Sequence, residues 1–303
     1  MYRVRSQIGC NSVINSVCEK NAPTIAVLDT GSTFHPDLGR RIIGFKDFVN
    51  DKNSLYDDSG HGTHVCGIIA GDGTASNGKY QGVAPCCKLV VGKVLDKDGN
   101  GTADAMIDGI EWIIENQKHY SIKVLNVSIG IGQLINKEKV KQLIECLEKA
   151  WDHGIVVVCA AGNGGPDLDT ISPLGKGKKI IAVGCHDGEY FKDMPKRCEI
   201  YSGRGDYNLA YRKPDIVAPG TEIISCNAYF KKMTRGHYNV YVSKSGTSMA
   251  TPIVSGAVGL YLTYHPECGN DYVKKQLLYS ATDLGAPWYQ QGYGMINVEK
   301  MLQ

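Results

Sequence analysis

Short apolar runs alternate along the chain with segments of helical periodicity. Runs rich in β-branched residues occupy positions 24–28, 89–94, 124–127, 155–158 and 180–183, which is the length and composition of strands buried on both faces. The clearest helical pattern covers 137–153 and ends at Gly154, and a second covers 103–116. Strands that alternate with helices predict an α/β fold with a mainly parallel central sheet and helices on both faces.

The same pattern bears on domain organisation. The chain has 303 residues, of which 43% are hydrophobic, enough to bury a sizeable core. No linker, low-complexity tract or internal repeat interrupts it, so we expect a single domain over 1–303. The polar stretch 186–213 carries mixed charge and several glycines, which predicts surface loops.

Charge and apolar run length narrow the range of partners. The 33 basic and 31 acidic residues give a formal charge of +2, so neither nucleic acid nor an anionic membrane is the expected partner. The longest apolar runs, 155–161 and 253–262, are too short or too broken by glycine to cross a bilayer.

The first seven residues lack the apolar stretch of a secretion signal, so we expect a cytosolic location, with secretion as the alternative if an upstream leader was removed.

Cysteine usage agrees with that location. Eleven cysteines at no repeated spacing form a poor disulfide framework for a chain of this size. Because no Cys-x-x-Cys occurs, a structural zinc site is disfavoured. We therefore expect most of these thiols to pack as small apolar core residues.

Three glycine-bracketed segments carry candidate chemistry. Asp29 lies in Leu-Asp-Thr-Gly, His61 in Ser-Gly-His-Gly-Thr-His, and Ser248 in Gly-Thr-Ser-Met-Ala-Thr-Pro at the start of a small-residue helix. The hydroxyl is a candidate nucleophile, and the imidazole, with an unperturbed pKa of about 6.5, is a candidate base. The carboxylate is the candidate acid that orients the imidazole. The residues alone leave alternatives, because Asp29 could be a turn residue and Ser248 a helix N-cap. His61 and His64 could be a pair of metal ligands, although the Glu of the zincin motif is missing.

In the order Asp, His, Ser, these segments resemble the subtilase family of serine peptidases. Residues 76–85 and 213–220 resemble in particular the intracellular bacterial members, and the similarity runs from about Ser6 to Val298. The resemblance implies a subtilisin-like fold, a catalytic triad of Asp29, His61 and Ser248, and a structural role for His64. It also implies that Asn163, in Ala-Ala-Gly-Asn, donates to the oxyanion, and that the chemistry needs no cofactor.

The resemblance extends to substrate and metal binding. Two segments match the family's substrate-binding edges, whose backbone pairs with an extended peptide: Gly99, Asn100, Gly101 and Ser128, Ile129, Gly130. The alternative is that both segments are ordinary loops. Asp37 matches a calcium-ligand position, but the N-terminal ligand of that site would lie upstream of Met1, so the expected calcium set is incomplete. The segment 96–107 begins like an EF-hand calcium loop, but it has Ile107 where the motif requires Glu. We therefore reject an EF-hand at this position.

The leading prediction is thus a serine endopeptidase that acts through an acyl-enzyme on extended peptide or protein substrates. Two alternatives remain: a peptidase dedicated to maturation of one precursor, and a peptide-binding protein that has lost turnover. No propeptide domain is visible before Asp29.

Overall fold

The structure is a computed structural model. It describes residues 1–11, 22–130, 136–191, 195, 197–208, 210–231, 233–234 and 237–303, with backbone alone at 233–234 and 237–238. Cys18 and parts of the predicted loop region 186–213 lie outside the described residues.

Both helical patterns that the sequence predicts are helices in the structure. The pattern at 103–116 corresponds to α3 and that at 137–153 to α5. The α-helices are α1 Tyr2–Gln7, α2 His61–Ala70, α3 Ala103–Glu115, α4 Gln117–Tyr120, α5 Lys137–Asp152, α6 Thr247–Tyr264, α7 Asn270–Tyr279, α8 Trp288–Gln291 and α9 Val298–Met301.

Seven strands form one parallel sheet in the order β2-β3-β1-β4-β5-β6-β7. Their bounds are β1 Thr24–Asp29, β2 Ile42–Asp47, β3 Lys88–Lys93, β4 Ile122–Val127, β5 Val156–Ala160, β6 Ile181–Cys185 and β7 Ile216–Ala218. Four further strands, β8 Ile223–Cys226, β9 Met233–Thr234, β10 His237–Tyr238 and β11 Tyr241–Lys244, pair antiparallel as β8 with β11 and β9 with β10.

The layers follow from burial. Every residue of β1 and β5 is buried, as expected for strands covered on both faces. Helices α2 and α6 pack against each other, α6 lies across β4, β5 and β6, and α3 packs against α5. The predicted α/β architecture with a parallel sheet and helices on both faces is confirmed.

The sheet order brings the site together. Strand β1 lies in the interior of the sheet, between β3 and β4, and ends at Asp29. In open α/β sheets ligands bind beyond the carboxyl ends of the strands, near the point where strand order reverses. Asp29 lies at that point, on the same edge of the sheet as the last residues of β4 and β5.

The cysteine prediction needs one correction. Cys185 and Cys198 are bonded to each other, and Cys86 is also disulfide-bonded. Spacing along the chain did not reveal the pair, because β6 and the turn Cys198–Ile200 approach each other only in the fold. Six other cysteines are free and buried, as expected: Cys10, Cys66, Cys87, Cys146, Cys159 and Cys226. Burial raises the pKa of the Cys159 thiol to about 12, as it does for Cys87.

Within the described residues, no helix combines the length and apolar character that a bilayer span requires. The longest, α6, has 18 residues and contains Pro252. Pro252 supplies no N–H to the helix, so the carbonyl of Ser248, one turn earlier, lacks its usual donor.

Candidate active site

The structure joins Asp29 and His61 directly. Asp29 is fully buried at the end of β1, and its Oδ1 lies 2.7 Å from Nδ1 of His61, the first residue of α2. The same oxygen accepts the backbone N–H of Thr30 at 2.8 Å. A carboxylate at Nδ1 holds the proton on that nitrogen and leaves Nε2 free to act as a base.

The close approach depends on a glycine. A Cβ at Gly62 would collide with the carbonyl oxygen of Gly31 and lie 3.2 Å from the Cβ of Asp29. Without a side chain, the first turn of α2 packs directly against the chain that follows β1. His61 therefore reaches Asp29 with its backbone fixed in a helix.

The environment changes the basicity of His61. Burial alone would lower the pKa of its imidazole, but the charge of Asp29 and its hydrogen bond outweigh burial, and the pKa is raised above 6.5. Lys244 lowers the pKa of His61 and Asp57 raises it, each by a smaller electrostatic effect. The Asp29 carboxylate thus stabilises the protonated form of the His61 imidazole.

Asp57 is a functional residue that the sequence reasoning missed. Its buried carboxylate accepts five hydrogen bonds: Oδ1 from Thr30 Oγ1, Ser59 N and Gly60 N, and Oδ2 from Thr63 N and Thr63 Oγ1, all within 3.1 Å. Thr30 Oγ1 in turn accepts the N–H of Gly62 at 2.9 Å. Asp57 therefore ties the chain after β1 to the first turn of α2, on either side of the Asp29–His61 contact. The segment Asp-Asp-Ser-Gly before His61 was the available signal.

Asn163 and the start of α6 form a second hydrogen-bonded group. Asn163 Oδ1 accepts both the N–H and the Oγ1 hydroxyl of Thr247, each at 3.1 Å. With its oxygen engaged, the amide has its Nδ2 donors free for another acceptor. Gly246, at φ +140°, precedes the helix in a conformation that L side chains rarely adopt, and a Cβ there would lie 3.6 Å from Nδ2.

Ser248 is the second residue of α6 and is half-buried. Its helix packs against α2, which carries His61 at its first position. In the described part of the chain, no hydrogen bond joins the Ser248 hydroxyl to the His61 ring. Such contacts are often long in a site without substrate and shorten in the reactive complex.

The predicted substrate edges differ from one another. Asn100 has its backbone engaged in a tight turn, because its N–H donates to Asp96 Oδ1 and its carbonyl accepts from Asp96 N. Ser128 is buried, and its hydroxyl accepts from Asn126 at 2.9 Å, so its side chain serves the core. Gly130 is exposed, with open space where a Cβ would stand.

The remaining predicted substrate residues flank these positions. Gly99 has φ +80° in the turn, Gly101 is exposed beside Leu95, and Ile129 is buried.

His64 lies outside the reactive group. It is fully buried, and its Nε2 contacts the carbonyls of Ile223 at 3.0 Å and Val242 at 3.1 Å. Burial, with Lys244 and His61 nearby, lowers the pKa of His64 to about 3. It is therefore a neutral donor that joins α2 to β8 and β11.

Two groups of potential metal ligands occur among the described residues, and neither fits calcium. His35, Asp37 and Cys226 form one group, but Asp37 accepts hydrogen bonds from Ala75 N at 2.8 Å and Tyr241 Oη at 2.7 Å. Calcium takes six to eight oxygen ligands, which a carboxylate beside an imidazole and a thiol does not supply.

The second group is Cys185, Asp187 and Cys198, in which the two sulfurs are bonded to each other. Asp187 Oδ1 accepts from the N–H groups of Gly220 and Thr221, each at 3.2 Å. Its ligand atoms are thus already occupied within the protein.

Comparisons with known proteins found similar sequences and a similar structure. Residues 20–295 match the model of the subtilase family. Serine protease AprX of Bacillus subtilis (strain 168) is 41% identical in an alignment of 291 positions that covers 91% of this chain. Subtilisin DY of Bacillus licheniformis is 34% identical over 283 residues, 92% of this chain. The chain spans 65% of the length of AprX and 90% of subtilisin DY. Sphericase has a similar structure, with a TM-score of 0.80 at 29% identity, covering 98% of this chain and 97% of its own.

Proposed function

The chain belongs to the subtilase family, and on that premise we propose that it is a serine endopeptidase that hydrolyses peptide bonds through Asp29, His61 and Ser248. The observation that carries the proposal is the 2.7 Å hydrogen bond between His61 Nδ1 and a fully buried Asp29. It supports a base whose tautomer and orientation are set before substrate arrives.

In the first step, Ser248 Oγ attacks the scissile carbonyl carbon while His61 Nε2 takes the hydroxyl proton. The imidazolium that forms is stabilised by the Asp29 carboxylate, in line with the raised pKa of His61. The carbonyl π electrons move to oxygen and give a tetrahedral oxyanion.

Two donors are available for that oxyanion. The engagement of Asn163 Oδ1 by Thr247 supports Nδ2 as one donor, and the N–H of Ser248 at the positive end of α6 is the other. One such donor is worth about 3–4 kcal/mol of transition-state stabilisation.

The intermediate collapses as His61 returns the proton to the leaving amine, which leaves an acyl group on Ser248 Oγ. Water then attacks this ester with His61 again as the base, and the carboxylic acid product departs. Extended peptide or protein segments are the proposed substrates, and the open edge at Gly130 suits backbone pairing.

Fluorophosphonate labelling tests the proposal. The folded protein should gain one adduct at Ser248, and Ser248→Ala should gain none. Ser243→Ala, at an exposed position on β11, is the matched control and should be labelled like the wild type. A folded wild type that stays unlabelled, or an adduct at another serine, would contradict the assignment.

A further inference from the structure

A cavity lies at the end of the sheet opposite to Asp29. Its volume is about 850 Å³. Lys88, in its wall, is the first residue of β3, and Arg41 directly precedes β2, whereas Asp29 is the last residue of the parallel strand β1. A six-residue strand spans ~20 Å, so this cavity is separate from the candidate active site.

The cavity carries an excess of positive charge. Arg40, Arg41 and Lys88 line it, and among the lining residues that the structure describes Asp72 is the single carboxylate. Asp72 faces its own loop, where its Oδ1 accepts the N–H of Thr74 at 2.9 Å. Three cations are thus left facing one carboxylate that is already hydrogen-bonded.

Within the part of the chain that the structure describes, these cations lack acidic partners. Across the described ranges, neither Arg40 nor Arg41 takes part in an ion pair, and Lys88 Nζ contacts only the backbone carbonyl of Arg40, at 3.1 Å. The Nε of Arg41 is buried and has no acceptor. A buried guanidinium nitrogen without an acceptor is unfavourable, so the hydrogen-bonding capacity of Arg41 is not satisfied by the described residues.

The walls of the cavity are held by backbone hydrogen bonds. Arg41 donates to the carbonyl of Leu38 at 2.9 Å and accepts from the N–H of Leu89 at 2.8 Å, and Asp72 N donates to Asp37 O at 3.1 Å. A site fixed in advance loses little conformational entropy when a ligand binds.

The lining also has an apolar part. Phe34 is exposed at the rim, and its ring lies 3.3 Å from where a Cβ on Gly39 would stand. The volume lies in the range of ~300–1,000 Å³ that small-molecule sites occupy, which is far more than a single inorganic anion needs. Size, charge and an aromatic rim together favour an organic anion.

We propose that this cavity binds a small phosphorylated organic molecule. Arg40, Arg41 and Lys88 take the phosphate, because the planar guanidinium fork matches phosphate oxygens in bidentate geometry. The ring of Phe34 contacts the apolar or aromatic part of the ligand. The proposal is independent of the peptidase assignment.

Calorimetric titration of the full chain tests it, with Ser248→Ala as the background that prevents self-cleavage. Adenosine 5′-monophosphate is the probe, and we expect saturable binding with Kd at or below ~1 mM. Adenosine should bind at least ~10-fold more weakly, since it lacks the charge-assisted hydrogen bonds. Inorganic phosphate should also bind more weakly than the nucleotide, because it does not reach Phe34.

Substitutions identify the cavity as the site. Arg41→Gln should weaken binding of the nucleotide at least ~10-fold, and Lys88→Gln provides a second variant if Arg41→Gln unfolds. Arg212→Gln removes an exposed arginine that lies over Tyr293 and should leave binding unchanged. Equal binding of adenosine and the nucleotide, tighter binding of citrate, or equal effects of Arg212→Gln and Arg41→Gln would each overturn the proposal.

Discussion

Replacement of Asp57 by Asn gives the sharpest test of how His61 is held. Asn keeps the size of the side chain and one oxygen, but it puts an NH₂ group where Oδ2 accepts both Thr63 N and Thr63 Oγ1 at 2.8 and 2.7 Å. Hydrogen bonds to a charged acceptor contribute about 1.5–3 kcal/mol each. The Thr63 hydroxyl can rotate and accept from the new amide, so we expect a loss of about 2–4 kcal/mol in the free energy of unfolding.

Activity should fall for a geometric reason. Thr63 lies two residues after His61 in the first turn of α2, so its displacement tilts the imidazole. A misplacement of ~1 Å can cost about 100-fold in rate, and we expect kcat/KM to fall about 10- to 100-fold. Loss of the carboxylate charge also lowers the pKa of His61, so the acidic limb of the pH profile should move to lower pH.

The assay is kcat/KM on a chromogenic peptide from pH 5 to pH 9, together with urea unfolding of the same samples. Asp152→Asn, at an exposed ion pair with Lys179 at the end of α5, is the matched control and should change neither quantity. A purely structural role would not shift the pH midpoint. An Asp57→Asn enzyme with wild-type kcat/KM, midpoint and stability would refute the reasoning.

Three further predictions concern the same region. Asn163→Ala should lower kcat about 10²- to 10³-fold through loss of an oxyanion donor, with KM nearly unchanged in steady-state assays. Lys244→Gln should move the acidic limb of kcat/KM to higher pH, because Lys244 lowers the pKa of His61; an unchanged midpoint would exclude that coupling. Gly62→Ala should destabilise the protein by about 1–3 kcal/mol through overpacking against Gly31, and denaturant unfolding measures this directly.

The sequence predicted the central strands because they are continuous apolar runs. It missed β2, since residues 42–47 are mostly half-exposed or exposed and show neither an apolar run nor a clean alternation. It also missed β7, whose three residues are too few for a periodicity. Single-domain organisation and a cytosolic location stay predictions.

At the site, short glycine-rich motifs pointed to Asp29, His61, Ser248 and Asn163, because a tight turn with glycines can present a side chain. Such local motifs do not reveal a role that depends on residues far away in the sequence. Asp57 acquires its role from donors up to 27 residues away, and Ser128 turns inward because Asn126 bridges it to Ser255 on α6.

The candidate machinery is divided between two hydrogen-bonded groups. Asp29, His61 and Asp57 form one hydrogen-bonded group at the end of β1, the start of α2 and the segment before α2. Asn163 with Thr247 forms another at the start of α6. Within the described segments, α2 and α6 meet through side-chain packing with no hydrogen bond between them. The fit of these apolar surfaces, together with the hydrogen bonds of His64 to β8 and β11, thus sets the distance from nucleophile to base. Conservative core substitutions where the two helices meet therefore become a means of adjusting turnover while every polar group stays unchanged.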